Sequence, residues 1–125
     1  MKNILPLILS LLLASCGRNE KPEAEKVIYE NEKKDPAALG QELFEGEGNC
    51  FACHKPDQKI IAPSIKEIAK IYREKNGDIV KFLKEEGGPI VDPSQYEVMK
   101  TNFAITKNMT DDELKAIEAY MHSIK

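Results

Sequence analysis

Two thiols and an imidazole stand within five consecutive residues, Cys50-Phe51-Ala52-Cys53-His54. Side chains three apart lie on the same side of a helical turn, so both thiols can reach one flat partner while the histidine after the second is held beneath it. That is the arrangement of a C-x-x-C-H haem-attachment site. Cys50 and Cys53 would each form a thioether to one vinyl group, and His54 would be the proximal ligand of the iron. Two other chemistries use paired cysteines. A thiol oxidoreductase sets its C-x-x-C in a strand-helix-strand context, and no strand pattern of any length is present. A zinc site needs further ligands, and the one remaining histidine is His122.

The third cysteine lies far upstream. Lys2 gives a positive start, and Ile4 to Leu13 is apolar apart from Pro6 and Ser10. This run is short for a membrane span and reads as the apolar region of an export signal. It ends Leu13-Ala14-Ser15-Cys16, which looks like a bacterial lipoprotein signal. Residues 1–15 are expected to be removed and Cys16 to carry the lipid anchor. One thiol for lipid and two for haem leave none unpaired, where three would be awkward for disulfides in an oxidising compartment. More than one acyl chain on Cys16 suffices for stable anchoring. The site of action is then the periplasmic or extracytoplasmic side of a bacterial membrane. Gly17, where aspartate would mark inner-membrane retention, resembles outer-membrane sorting.

The chain of 125 residues leaves room for one domain after the leader. Residues 16–34 comprise the lipidated cysteine and a tether. Its residues 17–34 hold five basic and five acidic residues, the composition of a solvated, flexible segment. The domain, 35–125, holds 12 basic and 16 acidic residues, which excludes the basic surface that nucleic acid requires. With aromatics at 6% and no tryptophan, so small a core gains from a covalent apolar plate.

Four helices must position the motif. Asp35-Pro36 starts the first, with Leu39, Leu43 and Phe44 apolar and Gly46 and Gly48 ending it before Cys50. Ser64 opens the second, with Ile65, Ile68, Ile71 and Tyr72 at helical spacing, and Asn76-Gly77 stops it. Asp78 caps the third, which carries Ile79, Phe82 and Leu83 and breaks at Gly87-Gly88-Pro89. Thr110 and Glu113 form a capping box for the last, whose buried stripe is Leu114, Ile117, Tyr120, Met121 and Ile124.

These residues together resemble a class I cytochrome c of the small bacterial monohaem type, over about residues 36 to 124. Gly40 and Phe44 match the family's glycine and aromatic in the first helix, and Ile117 and Tyr120 its aliphatic and aromatic pair in the last. The resemblance implies an all-α cytochrome c fold of about four helices around one covalent haem c, with the terminal helices crossing at the glycine. Ala62-Pro63-Ser64-Ile65 resembles the family's Gly-Pro-x-Leu, which implies that the Pro63 carbonyl accepts a hydrogen bond from His54. Such a bond fixes ring orientation and ligand basicity.

The sixth ligand is chosen among the methionines left after the leader. Met109 precedes Thr110 as a hydrophobic staple against Leu114. Met121 lies in the last helix and reads as packing. Met99 sits in a loop of irregular composition, Pro89 to Thr101, free to aim its sulfur. It is followed by Asn102, and the resemblance to Met-x-x-Asn implies that the asparagine amide steadies the sulfur. The loop departs from the family, with Val98 and Lys100 where prolines flank the methionine and Tyr96 in place of a tryptophan. His122, with Glu118 and Lys125, reads as a surface histidine.

Histidine and methionine together fill both axial positions, so the expected function is single-electron transfer between redox proteins, by a monomeric carrier and not an enzyme. Lys55, Lys59, Lys100 and Lys107 lie near the motif in sequence and could form a basic ring that steers an acidic partner. The alternatives are a haem enzyme or gas sensor with an open sixth position, or a fixed electron-transfer subunit of a larger oxidoreductase.

Overall fold

The computed structural model of the chain describes residues 34–125. The expected leader, the expected lipid site Cys16 and the expected tether up to residue 33 lie outside the described residues. Six α-helices and two short 3-10 turns occur among the described residues, with no strand. No helix there is long and apolar enough to cross a membrane.

The four expected helices form where their start signals stand. Helix α1 is Pro36–Glu45. It begins on the fixed backbone of Pro36, while the Asp35 side chain makes no capping hydrogen bond. Helix α2, Ile65–Glu74, is capped by Ser64 Oγ, which accepts from the Glu67 amide at 3.2 Å. Helix α3, Ile79–Leu83, is capped by Asp78, whose carboxylate accepts from the Lys81 amide at 2.8 Å.

The second helix stops at Asn76-Gly77 as expected, and the third ends earlier than expected. A left-handed residue lets the following amides reach back to the last free carbonyls. After α2 that residue is Asn76, at φ 50°, and the Gly77 amide donates to Tyr72 O at 2.8 Å. After α3 the break comes before the glycine pair. Glu85 takes the left-handed conformation at φ 61°, and the Glu86 amide donates to Lys81 O at 2.8 Å. A non-glycine residue there costs about 1 kcal/mol.

The segment between α3 and the last helix is more ordered than its composition suggests. It holds a 3-10 turn at Pro93–Gln95 and two short helices, α4 (Tyr96–Lys100) and α5 (Phe103–Thr106). Helices of five and four residues are too short to show apolar periodicity. They are held by packing. Phe82 of α3 meets Phe103 edge-on at 5.4 Å between ring centroids and Tyr96 at 6.2 Å. Tyr72 of α2 joins them, 6.3 Å from Phe82. The buried Thr106 hydroxyl donates to Leu83 O at 2.6 Å, tying α5 back to α3.

Helix α6, Asp111–Ser123, opens with the expected capping box. The Glu113 amide donates to Thr110 Oγ1 at 3.3 Å, and the Thr110 amide donates to the Glu113 carboxylate at 2.7 Å. Leu114, Ile117, Tyr120 and Met121 of α6 are buried. Helix α6 crosses α1 at Gly40, where a Cβ would overlap the carbonyl of Ala116 and stand 2.8 Å from Tyr120 Cβ. Only hydrogen fits. Phe44 and Tyr120 close the crossing edge-on, 5.4 Å between centroids.

Candidate functional site

The attachment motif begins in a turn that is tight for a physical reason. Helix α1 ends at Gly46, and the Gly48 amide donates back to Leu43 O at 2.7 Å. A Cβ on the buried Gly48 would stand 2.8 Å from that same oxygen and 3.2 Å from Cys50 Sγ. Asn49 then takes φ 51°, turning the chain into the 3-10 turn Cys50–Ala52. The amides of Cys53 and His54 both donate to Cys50 O, at 3.2 and 3.0 Å. One compact turn therefore presents both thiols and the imidazole.

The next segment folds back onto this turn. The Ala62 amide donates to Cys53 O at 3.3 Å. The first two amides of α2, from Ile65 and Lys66, donate to the carbonyls of Lys55 and Pro56 at 2.9 and 3.0 Å. Free amides at a helix start need such acceptors, so α2 docks on the residues just after His54. This docking brings the Pro63 carbonyl to His54 Nδ1, at 2.7 Å. Since a carbonyl only accepts, Nδ1 carries the hydrogen and Nε2 keeps its lone pair for a metal. Burial pushes the His54 imidazole below its ordinary pKa, and the Pro63 bond opposes this in part. A neutral ring is the form that ligates iron.

Cys50, Cys53 and His54 line one cleft together with Met99 and Asn102. Its free space, open mouth included, is about 1190 Å³. The lining is chiefly apolar, with Phe44, Ile68, Tyr72, Phe82, Leu83 and Ile117 among the walls. Met121 also faces the cleft. Met109 is buried but is not among the residues lining it. Met99 lies in α4, a helical turn and not an irregular loop, and is half-buried. Tyr96 opens that helix and lines the cleft too.

The donor set fits a covalently held haem. Two thiols share a turn, an imidazole offers one nitrogen, a thioether lies on the same cleft, and the walls are apolar. Other uses of the cysteines fit less well. Burial pushes the Cys50 thiol up to about 11, whereas reactive redox cysteines have lowered values. Among the described residues, no three His, Cys, Asp or Glu side chains cluster as a metal-ion site would need.

Three placements were not legible in the sequence. The Asn102 amide nitrogen donates to Gly48 O at 2.9 Å, linking the Met99 segment to the attachment turn. His122 is half-buried and not fully on the surface, and the Arg73 guanidinium of α2 donates to its Nδ1 at 3.0 Å. The four lysines do not make a free basic ring. Lys59 pairs with Asp92 at 3.5 Å, Lys100 with Glu97 at 3.6 Å and Lys107 with Glu85 at 2.8 Å. Lys55 donates to Phe51 O at 2.9 Å and lies 3.2 Å from the centre of the Phe51 ring. No spacing rule in the sequence foretells these long-range partners.

Among known families, the model of the family described as Cytochrome c matches residues 37–125. Among curated proteins, none matches the chain.

Proposed function

The chain belongs to the cytochrome c family, and from that membership we propose that it is a membrane-tethered monohaem carrier, passing single electrons between redox proteins on the extracytoplasmic side of a bacterial membrane. A haem-based electron-transfer role follows from the family. The narrower parts of the reading rest on particular residues, and the observation that carries them is the His54–Pro63 hydrogen bond of 2.7 Å at a cleft shared by Cys50, Cys53 and Met99.

Cys50 and Cys53 would hold the haem as thioethers, and His54 would bind its iron through Nε2. A haem so bound supplies one-electron exchange at iron. Pro63 keeps the His54 ring in one tautomer and raises its basicity. Met99 would offer its sulfur to the iron from the same cleft, a soft thioether that favours the reduced state. The apolar walls exclude water and disfavour additional charge, which acts in the same direction. With His54 and Met99 both given to the iron, the chain would leave no site on it for a substrate, which supports a carrier in preference to an enzyme.

A docking face at the cleft mouth is supported by the exposed Ile61 and Val98, which line it. With three of the four nearby lysines paired to carboxylates, we infer short-range apolar contact with a redox partner in place of long-range steering. The anchor rests on Cys16 and the leader before it. Cys16→Ser is expected to release the protein from the membrane fraction; continued membrane association would remove the tether.

The ligand assignment is tested by the ferric methionine–iron charge-transfer band of the matured protein. The band is expected to vanish in Met99→Ala and persist in Met109→Ala. The reverse pattern refutes Met99.

A further inference from the structure

Among the described residues that line the cleft, Asp92 is the one Asp, Glu, Lys or Arg. It is held in place from several sides. The Ser94 hydroxyl donates to its carboxylate at 2.5 Å, and the Gln95 amide donates to its backbone carbonyl at 3.1 Å. Two residues earlier, Lys75 Nζ donates to Ile90 O at 2.9 Å. The Ser94 hydrogen bond, the largest influence, and the Lys59 charge hold the Asp92 carboxyl below its ordinary pKa, while burial opposes them. The group is therefore an anion at neutral pH.

The cation that answers it comes from another segment, the exposed span between His54 and Pro63. Lys59 Nζ stands 3.5 Å from Asp92 Oδ2. The two partners are unequally wet. The Lys59 side chain is 60% exposed and that of Asp92 is 22% exposed, so water and salt screen the ammonium more than the carboxylate.

We propose that Asp92 is a fixed anion that lowers the electron affinity of the group held in this cleft, and that Lys59 is the counter-charge that offsets part of its effect. This deepens the reading above and rests on a haem occupying the cleft. Reduction adds one negative charge inside walls that are otherwise apolar. A carboxylate on those walls makes that addition less favourable, and apolar surroundings screen the repulsion poorly. Asp92 thus pulls against the soft thioether and the dry walls, both of which favour the reduced state. Lys59, paired with it from the solvent side, sets how much of that pull is felt.

The test is a redox titration of the full, haem-loaded protein, followed by its optical spectrum. Asp92→Asn keeps the shape of the side chain and removes the charge. It is expected to raise the midpoint potential, so that at a fixed applied potential the ratio of reduced to oxidised protein rises about twofold or more. Lys59→Gln leaves Asp92 unanswered and is expected to lower the midpoint. The opposite signs are the point of the test. A purely structural clasp, broken from either end, releases the same loop and moves the midpoint the same way. Shifts of one sign in both variants, or no shift in Asp92→Asn, overturn the proposal. Ser94→Ala loosens the carboxylate but leaves both charges, and a shift as large as that of Asp92→Asn would also overturn it. Should Asp92→Asn not accumulate, Lys59→Glu decides. A second carboxylate there is expected to lower the midpoint further than Lys59→Gln does, and a midpoint no lower overturns the proposal. A haem-loaded protein whose midpoint ignores these charges sinks this inference alone. A matured protein that carries no haem sinks the reading of the cleft and this inference with it.

Discussion

The attachment side of the cleft and the arm that carries Met99 are held by different means. On the attachment side, backbone meets backbone. Helix α1 approaches α6 at Gly40, the turn closes on Cys50 O, and α2 docks its first amides on Lys55 and Pro56. In the arm, residues 84–109, individual side chains make the long-range ties: Asn102 to Gly48, Thr106 to Leu83 and Lys107 to Glu85. Backbone hydrogen bonds survive most substitutions, whereas a side-chain tie is lost with one. The His54 side of the cleft is therefore set by the fold, and the Met99 side can be tuned residue by residue.

The largest expected effect breaks the attachment side at its tightest glycine. Gly40→Val should destabilise the protein by at least about 4 kcal/mol, because a side chain at the crossing must drive α1 from α6. Denaturant midpoints measure this, and a loss below about 1 kcal/mol would mean the crossing is not close.

The next effect sharpens the comparison at the aromatic floor beneath the arm. Burial first, and the Asp78 charge second, push the Tyr72 phenol from 10.0 up to about 12. The folded state keeps its proton longer than the unfolded chain does. Below pH 10 this makes no difference. As pH rises from 10 to about 12, the unfolded state ionises first and stability falls. Tyr72→Phe should flatten that alkaline slope.

Within the arm, Thr106→Val leaves the Leu83 carbonyl without its hydroxyl donor and should cost about 1 to 3 kcal/mol, read as a shift in denaturant midpoint. A comparable effect on the attachment turn would erase the distinction between the two regions. The smallest expected change is at Glu85. Glu85→Gly relieves a left-handed backbone by about 1 kcal/mol but gives up an exposed ion pair with Lys107, which water largely screens. The net change in stability should stay within about 1 kcal/mol.

This division also explains what could be read from the chain. The attachment motif, the caps at Ser64, Asp78 and Thr110, and the crossing glycine are local signals, each written in one or a few adjacent residues. They placed the helices and the proximal side of the cleft. The short helices α4 and α5 carried no such signal, because their order comes from Phe82 and Tyr72, distant in sequence. The partner of Asn102 lay hidden for the same reason. The lysines near the motif looked like a free basic ring, since charge counting does not see that Asp92, Glu97 and Glu85 stand beside three of them. The left-handed Glu85 was obscured by the glycines that follow it.

The stretch from His54 to Pro63 behaves as a measured span. Both of its ends are clasped, by the Cys53–Ala62 hydrogen bond and by the amides of α2 on Lys55 and Pro56, while Asp57 to Ile61 lies exposed between them. Extra residues inserted among those five would bulge into solvent and leave the clasp intact. One residue added between Ala62 and Ser64 would move the proline carbonyl off the imidazole. A peptide graft meant to spare the His54–Pro63 contact thus has a permitted address and a forbidden one only a few residues apart.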